Sequence, residues 1–374
     1  VKLVYDRAED MAATTKRHPS RTRLRTAVDR DGRLLAQDID FVIDGGAYCT
    51  LSPVVLSRGT IHAAGPYFCP SVRLSGTAVA TSTPPHGAFR GFGAPQSLFA
   101  LERHMDVVAA AIGLSPVEFR RRNFITTGQT SAVGQVIREP VEMDRLLDRA
   151  LALSDYDAKV ARFAAENPGR RVKKGIGFAA FMHGAGFTGS GEVQLSSGVD
   201  VEAGADGRVR VLAASTEIGQ GTNTVFGQIA ADALALGIDD IDIAQPDTSV
   251  VPNSGPTVAS RTCMVVGRLV ETAALAVKAT LIEKGLLVEP YDRAAFREAC
   301  RQHVAHHGPL RHRSRYEAPP GLHWDDERFQ GDAYGTYAWA VYVAEVSVDT
   351  ATFETRVDDF VALQEVGRVV HPVL

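Results

Sequence analysis

Two glycines that flank a glutamine are the most suggestive chemical feature of this sequence. Gly219, Gln220 and Gly221 follow Glu217 and Ile218 in the segment Glu-Ile-Gly-Gln-Gly. Glycine lets the backbone approach a ligand closely, and glutamine carries both a hydrogen-bond donor and an acceptor. A helix that begins here would add N–H groups that favour an anion. The segment predicts contact with a phosphate or an oxo group, and a simple turn is the alternative.

A second segment of similar character occupies residues 251–262. It is rich in proline and small polar residues, and a helical pattern follows it from Met264 to about Lys284. Ser260 and Thr262 are residue types that cap helices, which would leave N–H groups available to an anion. Two loops that each lead into a helix are more than a single fold feature requires, so we interpret them as parts of a ligand site.

Two further loops present aromatic side chains on a glycine-rich backbone. In residues 84–96, Arg90 stands between two phenylalanines and supplies fixed planar donors, and Phe92 offers a flat apolar face. In residues 183–189, Phe187 and Thr188 lie among glycines. We interpret both phenylalanines as candidates for ligand contact. Anchoring of each loop to a hydrophobic core is the alternative.

Residue periodicity predicts the elements that position these loops. Ser115, Pro116 and Glu118 have the spacing of a capping box with proline at the first helical position. Apolar residues at helical spacing predict helices, and alternating residues predict strands that end in a hairpin. The predicted helices cover residues 97–114, 143–153, 225–234 and 264–284, and the predicted strands cover 33–44, 77–81, 209–214, 241–244, 337–349 and 355–363.

Composition places the chain among globular proteins. It has 374 residues, 45% of them apolar and 22% charged, with a net charge of −4. We therefore expect no nucleic-acid partner. No apolar run is long enough to span a membrane and no signal-peptide pattern is present, so we also expect a cytoplasmic protein without membrane contact. The sequence opens on Val1 in a strand-like run and stops at Leu374, which we interpret as part of a longer protein.

Three groups of residues invite a functional interpretation for which the sequence offers little support. The four cysteines lack the spacing of a metal site, and we interpret them as buried free thiols. The segment 303–312 contains four histidines but no matching carboxylates or cysteines, so we predict a solvated segment and no metal site. We likewise expect the run Arg120–Arg122 to be a solvated helix face.

Several motifs, in their order and spacing, resemble the molybdenum-cofactor-binding subunit of the xanthine dehydrogenase and aldehyde oxidase hydroxylases. The resemblance extends over essentially the whole chain. The matching segments are Asp10-Met11, Arg17-His18-Pro19, Phe89-Arg90-Gly91-Phe92-Gly93, Pro95-Gln96, Arg121-Arg122-Asn123, Glu217-Ile218-Gly219-Gln220-Gly221, Asp247-Thr248, Val251-Pro252, Pro256-Thr257, Ala259-Ser260 and Glu345-Val346-Ser347-Val348-Asp349.

The resemblance implies roles for individual residues. Arg90 and Gln220 would lie beside the metal centre, and Arg58 would stabilise charge on a purine-like ring. Phe92 and Phe187, with Thr188 next to the latter, would contact the flat substrate. The residues implied to bind the molybdenum cofactor are Arg90, Ile218, Gly219, Gln220, Gly221, Ala259, Ser260 and Thr262, and those implied in catalysis are Arg58, Arg90 and Gln220.

The resemblance also implies a fold, a cofactor and partners. The fold would be α+β, with two mixed α/β molybdopterin-binding domains at residues 1–126 and 173–374 and a linker with short helices at 127–172. The cofactor would be molybdopterin or its cytosine dinucleotide. Iron–sulfur and FAD subunits or domains, the rest of the molybdenum subunit and a second copy of the complex would be the protein partners.

The resemblance leaves the substrate open. A purine-like heterocycle hydroxylated with oxygen from water is the favoured substrate, and an aldehyde, an aromatic acyl thioester or carbon monoxide is the alternative. The family's general base, a glutamate in a glycine-rich motif near the C-terminus, has no counterpart in this sequence, so we expect it to lie outside the chain. A non-catalytic fragment that contributes only part of the cofactor shell therefore remains a third hypothesis.

Overall fold

The computed structural model describes residues 3–371, and the chain divides into two compact units. The first unit contains Val1–His183 and Phe329–Val366, and the second contains Gly184–Arg328 and Gly367–Leu374. Each unit therefore combines segments that are distant in sequence. The predicted cofactor-binding domains are continuous segments with boundaries near residues 126 and 173, which is a different division of the chain. Those boundaries stay a prediction.

The first unit contains six helices and nine strands in the described part of the chain. Its helices are α1 (Arg7–Ala13), α2 (Ser52–Ile61), α3 (Ala94–Ala111), α4 (Pro116–Asn123), α5 (Met143–Ser154) and α6 (Tyr156–Glu166). Its longer strands are β2 (Ser20–Val28), β3 (Leu34–Gly46), β4 (Val72–Ala80), β6 (Val172–Gly184), β13 (Tyr337–Asp349) and β14 (Thr355–Glu365). Its short strands are β1 (Lys16–Arg17), β5 (His86–Gly87) and β12 (Gln330–Gly331).

Two three-stranded sheets organise this unit. One has the order β2-β3-β4 and the other has the order β14-β13-β6. Alternate residues of β3, namely Ile39, Phe41 and Ile43, are fully buried, as expected for a strand with one face on the core. The capping box of Ser115 and Glu118 at α4 is confirmed, because each side chain accepts a hydrogen bond from the backbone of the other residue.

The expectation of a solvated arginine run at the end of α4 is wrong for Arg120. Its side chain is fully buried, and its guanidinium contacts the carboxylates of Glu102 at 3.0 Å and Asp106 at 2.8 Å. Arg121 pairs with Asp148, and Arg122 donates to the backbone carbonyl of Asp31. A charge run on a short helix can therefore point one member inward when a carboxylate on the neighbouring helix compensates it.

The second unit is built on a four-stranded sheet of order β10-β7-β8-β9. The strands of this sheet are β7 (Gly198–Ala203), β8 (Val209–Leu212), β9 (Ile241–Ile243) and β10 (Leu310–Arg315), and the unit also contains the short strand β11 (Trp324–Asp325). Its helices are α7 (Gly191–Leu195), α8 (Thr222–Leu234), α9 (Gly267–Glu283) and α10 (Arg293–His307).

The segment β8-α8-β9 places the glycine–glutamine loop. Strands β8 and β9 are parallel and α8 connects them, so the loop that precedes α8 leaves the carboxyl end of β8. Alternating residues Val209 and Val211 share a buried core with Phe226 and Leu234 of α8. Loops at the carboxyl ends of parallel strands are the usual ligand-binding positions in α/β sheets.

Two expectations about residues outside the loops need correction. Among the cysteines only Cys300 is buried, whereas Cys49 and Cys263 are exposed and Cys69 is half-buried, although all four are free thiols. The histidine-rich segment forms the end of α10 and the first residues of β10, and the expectation that it is solvated is wrong for His303, which is buried, whereas His306 and His307 are exposed. Within residues 3–371 no group of three or more potential ligands could hold a metal ion. No helix in the same residues has the length and apolarity that crossing a membrane requires.

Candidate functional site

The loop before α8 supplies its own anion. The Glu217 carboxylate accepts hydrogen bonds from the backbone N–H groups of Gly219 at 2.7 Å, Gly221 at 3.1 Å and Asn223 at 3.1 Å. These bonds hold the pKa of Glu217 below its ordinary value, and the bond from Asn223 has the largest effect. The helix start that the sequence offers to a phosphate is thus already occupied by a side chain of the same loop.

The Gln220 amide also closes this loop on itself. Its Nε2 donates to the Thr216 carbonyl oxygen at 2.8 Å and to Thr222 Oγ1 at 2.7 Å, and its Oε1 accepts from the Ile218 N–H at 2.7 Å. The glycines on either side have φ angles of +97° and +86°. A residue with a Cβ is strained in this region, so the turn requires glycine at both positions. Gln220 therefore shapes the loop, and Ile218 is left 77% exposed at its tip.

The loop of residues 251–262 lies directly beside the glycine–glutamine loop. Thr257 Oγ1 accepts a hydrogen bond from the Thr216 N–H at 2.8 Å, and Ser254 Oγ accepts one from the Ala214 N–H at 2.9 Å. Ala259 has a φ angle of +51°, which is unusual for a residue other than glycine and is a mark of strained backbone at functional loops. The two loops that sequence patterns single out thus form one surface in the second unit.

A buried arginine that the sequence interpretation missed holds the second loop in place. The Arg261 guanidinium donates to the carbonyl oxygens of Ser254 at 3.0 Å and Pro256 at 2.8 Å, and it pairs with the Glu192 carboxylate at 2.8 Å. Its fully buried side chain ties the loop to α7. No sequence pattern indicated this contact, because Glu192 lies far from Arg261 along the chain.

The expectation that Ser260 and Thr262 cap the following helix is wrong. A π-helical turn, Thr262–Val266, precedes α9, and its N-terminus has no side-chain cap. Ser260 Oγ instead accepts a hydrogen bond from the Gly186 N–H at 2.8 Å, which joins the phenylalanine loop to the other two. The hydroxyls of Thr262 and Ser215 are buried and have no hydrogen-bond partner in the described chain.

The Phe187 ring folds back onto its own loop. It lies so close to Gly191 that a Cβ on that residue would stand 2.2 Å from the ring. Phe187 and Thr188 are both half-buried, and the Gly191 N–H donates to the Thr188 carbonyl at 3.2 Å. The ring therefore belongs to the surface formed by the three loops of the second unit, and its predicted contact with substrate stays a prediction.

The arginine–phenylalanine loop lies in the first unit. Phe92 has a φ angle of +49° and packs against the buried residues Phe41, Ile43 and Val55. Arg90 is exposed, and Phe89 is half-exposed beneath the guanidinium of Arg17. Phe92 thus anchors the loop to the core with part of its ring, as the alternative interpretation holds. The strained backbone at Phe92 supports a functional role for the same loop.

Arg17 clamps this loop. Its Nη2 donates to the Arg90 carbonyl at 2.7 Å, its Nη1 donates to Gln96 Oε1 at 3.2 Å, and its guanidinium lies 4.7 Å from the centre of the Phe89 ring. The motif Arg-His-Pro did not by itself indicate these contacts. Three contacts from one side chain fix the loop backbone that carries Arg90 and Phe92.

Replacing Arg17 with methionine should loosen the loop. We expect amide hydrogen exchange at Phe92 to accelerate about tenfold, because two charge-assisted bonds to the loop are lost. Arg21→Met is the matched control, since Arg21 is an exposed arginine of the neighbouring strand β2. Equal exchange rates in the two variants, measured by mass spectrometry, would show that Arg17 does not hold the loop.

Arg58 lies in a buried polar cluster of the first unit. Its guanidinium stacks 5.1 Å from the centre of the Tyr334 ring, and its carbonyl accepts a hydrogen bond from His62 Nδ1 at 2.7 Å. The His62 ring stacks on His183 with 5.1 Å between ring centres. Burial, then His183 and Arg58, hold the pKa of His62 well below its ordinary value, so this imidazole is neutral. Only the spacing of Arg58 and His62, one helical turn apart, could have indicated this cluster.

The predicted site residues are thus divided between the two units. Arg58, Arg90 and Phe92 lie in the first, and the glycine–glutamine loop, residues 259–262 and Phe187 lie in the second. Within the second unit three loops meet. The sandwich of a substrate between Phe92 and Phe187 stays a prediction.

Two models of a molybdopterin cofactor-binding domain match this chain, one over residues 1–124 and the other over residues 149–374. The chain is 30% identical to a probable xanthine dehydrogenase subunit of Bacillus subtilis, over all of this chain and 50% of that protein. It is also 30% identical to the aldehyde oxidoreductase of Megalodesulfovibrio gigas, over 98% of this chain and 39% of that protein. The chain thus spans half or less of the length of these relatives.

Solved structures agree with these matches. The aldehyde oxidoreductase from Desulfovibrio gigas is 28% identical and superposes with a TM-score of 0.86, over 98% of this chain and 39% of that one. Quinoline 2-oxidoreductase from Pseudomonas putida 86 is 26% identical, with a TM-score of 0.82 over 99% of this chain and 50% of that one. The expected α+β architecture with two cofactor-binding domains is confirmed.

Proposed function

Because the chain belongs to the molybdopterin cofactor-binding family of xanthine dehydrogenases and aldehyde oxidoreductases, we propose that it helps to build the cofactor and substrate shell of a molybdenum hydroxylase. The meeting of three loops in the second unit carries this proposal. Hydrogen bonds from Thr216 to Thr257 and from Gly186 to Ser260 join loops that are far apart in sequence. Strained backbone at Ala259 supports a functional role for the same surface.

The residues of this surface fit a molybdenum–pterin group, which is rich in exchangeable hydrogen-bonding atoms. Two buried hydroxyls, those of Ser215 and Thr262, have no hydrogen-bond partner in the described chain, and the polar atoms of a ligand or an ordered water would supply one. The fit does not extend to the start of α8, where the Glu217 carboxylate already binds the N–H groups. Gln220, Ala259, Ser260 and Thr262 would hold the cofactor, with Ile218, Gly219 and Gly221 as its neighbours and Arg90 beside the metal.

Each proposed site residue contributes binding or orientation. When bound, the cofactor supplies the two-electron oxidation by which water-derived oxygen is added to an electron-poor carbon. Phe92 and Phe187 would contact the faces of a flat substrate, with Thr188 at its edge. Arg58 would place a fixed cation where negative charge grows on the substrate ring, which stabilises a transition state most strongly in a dry site. We assign the general base to no residue of this chain.

A purine-like heterocycle is the proposed substrate, with an aldehyde as the second candidate. Arg58 supports the purine, because a cation is of more use to an anionic ring than to an aldehyde. Relatives described as xanthine dehydrogenase and as aldehyde oxidoreductase match the chain at equal sequence identity, so an aldehyde stays a candidate substrate. Iron–sulfur and flavin partners would accept the electrons, in a complex that contains two copies.

We also propose a cytoplasmic location on the basis of the cysteines. All four are free thiols, and Cys49 and Cys263 are exposed to solvent. Exposed thiols that stay unpaired are typical of proteins in a reducing compartment.

Replacing Gln220 with alanine tests the proposed cofactor shell. The variant loses three hydrogen bonds that shape the loop, so we expect molybdenum content to fall by about tenfold, as metal sites do when supporting contacts are removed. The complex would be co-produced with its partner subunits and its molybdenum measured by mass spectrometry. The control is Gln302→Ala, at a half-buried glutamine of α10 in the same unit.

The outcomes of this experiment are distinct. Low molybdenum in Gln220→Ala with an unchanged unfolding transition supports the proposal. Normal molybdenum in both variants removes Gln220 from the cofactor shell. An absence of molybdenum from the unmodified complex would favour a non-catalytic chain.

A further inference from the structure

The edge strand β2 carries a row of arginines. Arg21, Arg23 and Arg25 alternate with Thr22, Leu24 and Thr26, and all three arginines are exposed. The intervening residues face the other side, where Thr26 Oγ1 contacts His104 Nε2 of α3 at 2.8 Å. Alternate residues of a strand lie about 6.7 Å apart on one face, so the three guanidiniums form a regular positive row.

Neighbouring carboxylates do not pair with this row. Arg25 lies opposite Asp38 in the pairing register, and Arg23 lies opposite Asp40. Asp38 forms a bidentate pair with Arg73 of β4 instead, at 2.8 and 2.9 Å, and Asp40 accepts a hydrogen bond from Ser75 of β4 at 2.9 Å. Side-chain hydrogen bonds and ion pairs to Arg21, Arg23 and Arg25 are absent from residues 3–371.

The arginines also border a polar cavity. It has a volume of about 290 Å³ and is lined by Arg23, Arg25, Asp38, Asp40, Arg73 and Ser75. Three arginines and two aspartates give the lining an excess of positive charge. A carboxylate that entered the cavity would reach guanidiniums on both edges of the sheet.

The strand also has a free edge within its sheet. In the described part of the chain, the order β2-β3-β4 leaves one side of β2 without a partner strand, and its register with β3 is regular from Ser20 to Ala27. An unpaired edge can accept another strand through backbone hydrogen bonds. A second copy of β2 is disfavoured, because antiparallel pairing centred on Arg23 would set arginine opposite arginine.

From the free edge and the row of unpaired arginines together, we propose that β2 docks an extended acidic segment of a partner protein. The segment adds a strand to the sheet, and its alternate carboxylates bind Arg21, Arg23 and Arg25. The charges steer the encounter and select the partner, and the backbone bonds fix its register. This docking site is independent of the proposed cofactor site, since neither the loops nor the cofactor take part.

A model peptide tests the docking site with the full chain. Its sequence alternates threonine and glutamate, and its binding is measured by fluorescence anisotropy at low and high salt. We expect the triple variant Arg21→Glu, Arg23→Glu, Arg25→Glu to weaken binding by about tenfold or more, because three exposed ion pairs become three repulsions. The control triple variant Arg145→Glu, Arg149→Glu, Arg301→Glu changes net charge equally at exposed helix positions.

Each outcome decides the proposal. Selective loss of binding in the β2 variant supports it, as does weaker binding of the same peptide when every backbone nitrogen is methylated. Equal loss in both triple variants, or tight binding of the methylated peptide, overturns strand addition at β2. Absence of peptide binding to the unmodified chain overturns the proposal as well. A further contrary result would be self-association of the unmodified chain, measured by sedimentation, that is lost in the β2 variant. The triple variant to glutamine, with an intermediate loss expected, repeats the test if the reversal of charge prevents folding.

Discussion

Replacement of Arg120 with methionine should lower the free energy of unfolding by about 3–5 kcal/mol, the usual cost of breaking a buried ion pair. Arg120 Nε donates to Glu102 Oε2 at 3.0 Å and its Nη2 donates to the Glu102 carbonyl at 3.0 Å. Burial alone lowers the pKa of Arg120, but Tyr67, Glu102 and Asp106 raise it above its ordinary value, so the guanidinium stays charged.

The loss is large because the Glu102 carboxylate is buried. Its carboxylate also accepts hydrogen bonds from the Tyr67 hydroxyl and from the Ala180 N–H at 2.8 Å. Burial already raises the pKa of Glu102, and Arg120 opposes this shift. Without Arg120 the buried carboxylate would have to stay charged without a partner or take up a proton, and either state is costly. The network joins α3, α4 and β6, so we expect the substitution to destabilise the whole first unit.

Urea unfolding followed by tryptophan fluorescence measures this effect. Trp339 is buried in β13 of the first unit, and Trp324→Phe in every variant removes the signal of the second unit, so that the fluorescence reports on the first. Arg121→Met is the control, because Arg121 is partly exposed on the same helix and pairs with surface carboxylates. Should the two variants unfold at the same urea concentration, the buried pair is not the stabilising feature of this unit. Arg120→Met combined with Glu102→Leu should recover part of the loss.

Arg58→Met should lower kcat/KM for purine-like heterocycles by about 100-fold in the complete complex and change aldehyde oxidation much less, if Arg58 stabilises charge on the ring. The side chain is buried and lies against Tyr334. Its loss can therefore also destabilise the first unit. A defect in folding reduces the amount of active enzyme for every substrate alike, so the ratio of the two activities is the informative quantity.

The control for this prediction keeps the charge. Arg58→Lys retains a cation but loses the planar guanidinium that stacks on Tyr334, so we expect a partial recovery of purine oxidation. Parallel loss of purine and aldehyde oxidation in Arg58→Met, with normal molybdenum content, would refute the purine assignment. It would leave Arg58 as a structural member of the His62 cluster.

Local structure followed from the sequence because it depends on neighbours along the chain. The capping box at Ser115 and Glu118 needs only a spacing of three residues, and the hairpin of β13 and β14 needs only alternation and a turn. The helix after Gly221 was predicted in the same way. The ordered motifs also identified the family, which both domain models confirm.

Only the tertiary structure decided the partners of the polar side chains. Arg120 is buried because Glu102 stands on another helix, and Ser260 binds Gly186 from a remote loop in place of capping a helix. The Glu217 carboxylate accepts hydrogen bonds from the N–H groups of the residues that follow it in the loop, and residue types alone left this partner open. A charge or hydroxyl takes the partner that compensates the loss of water around it. That partner is set by how the elements pack, whereas periodicity along the chain fixes only which elements form.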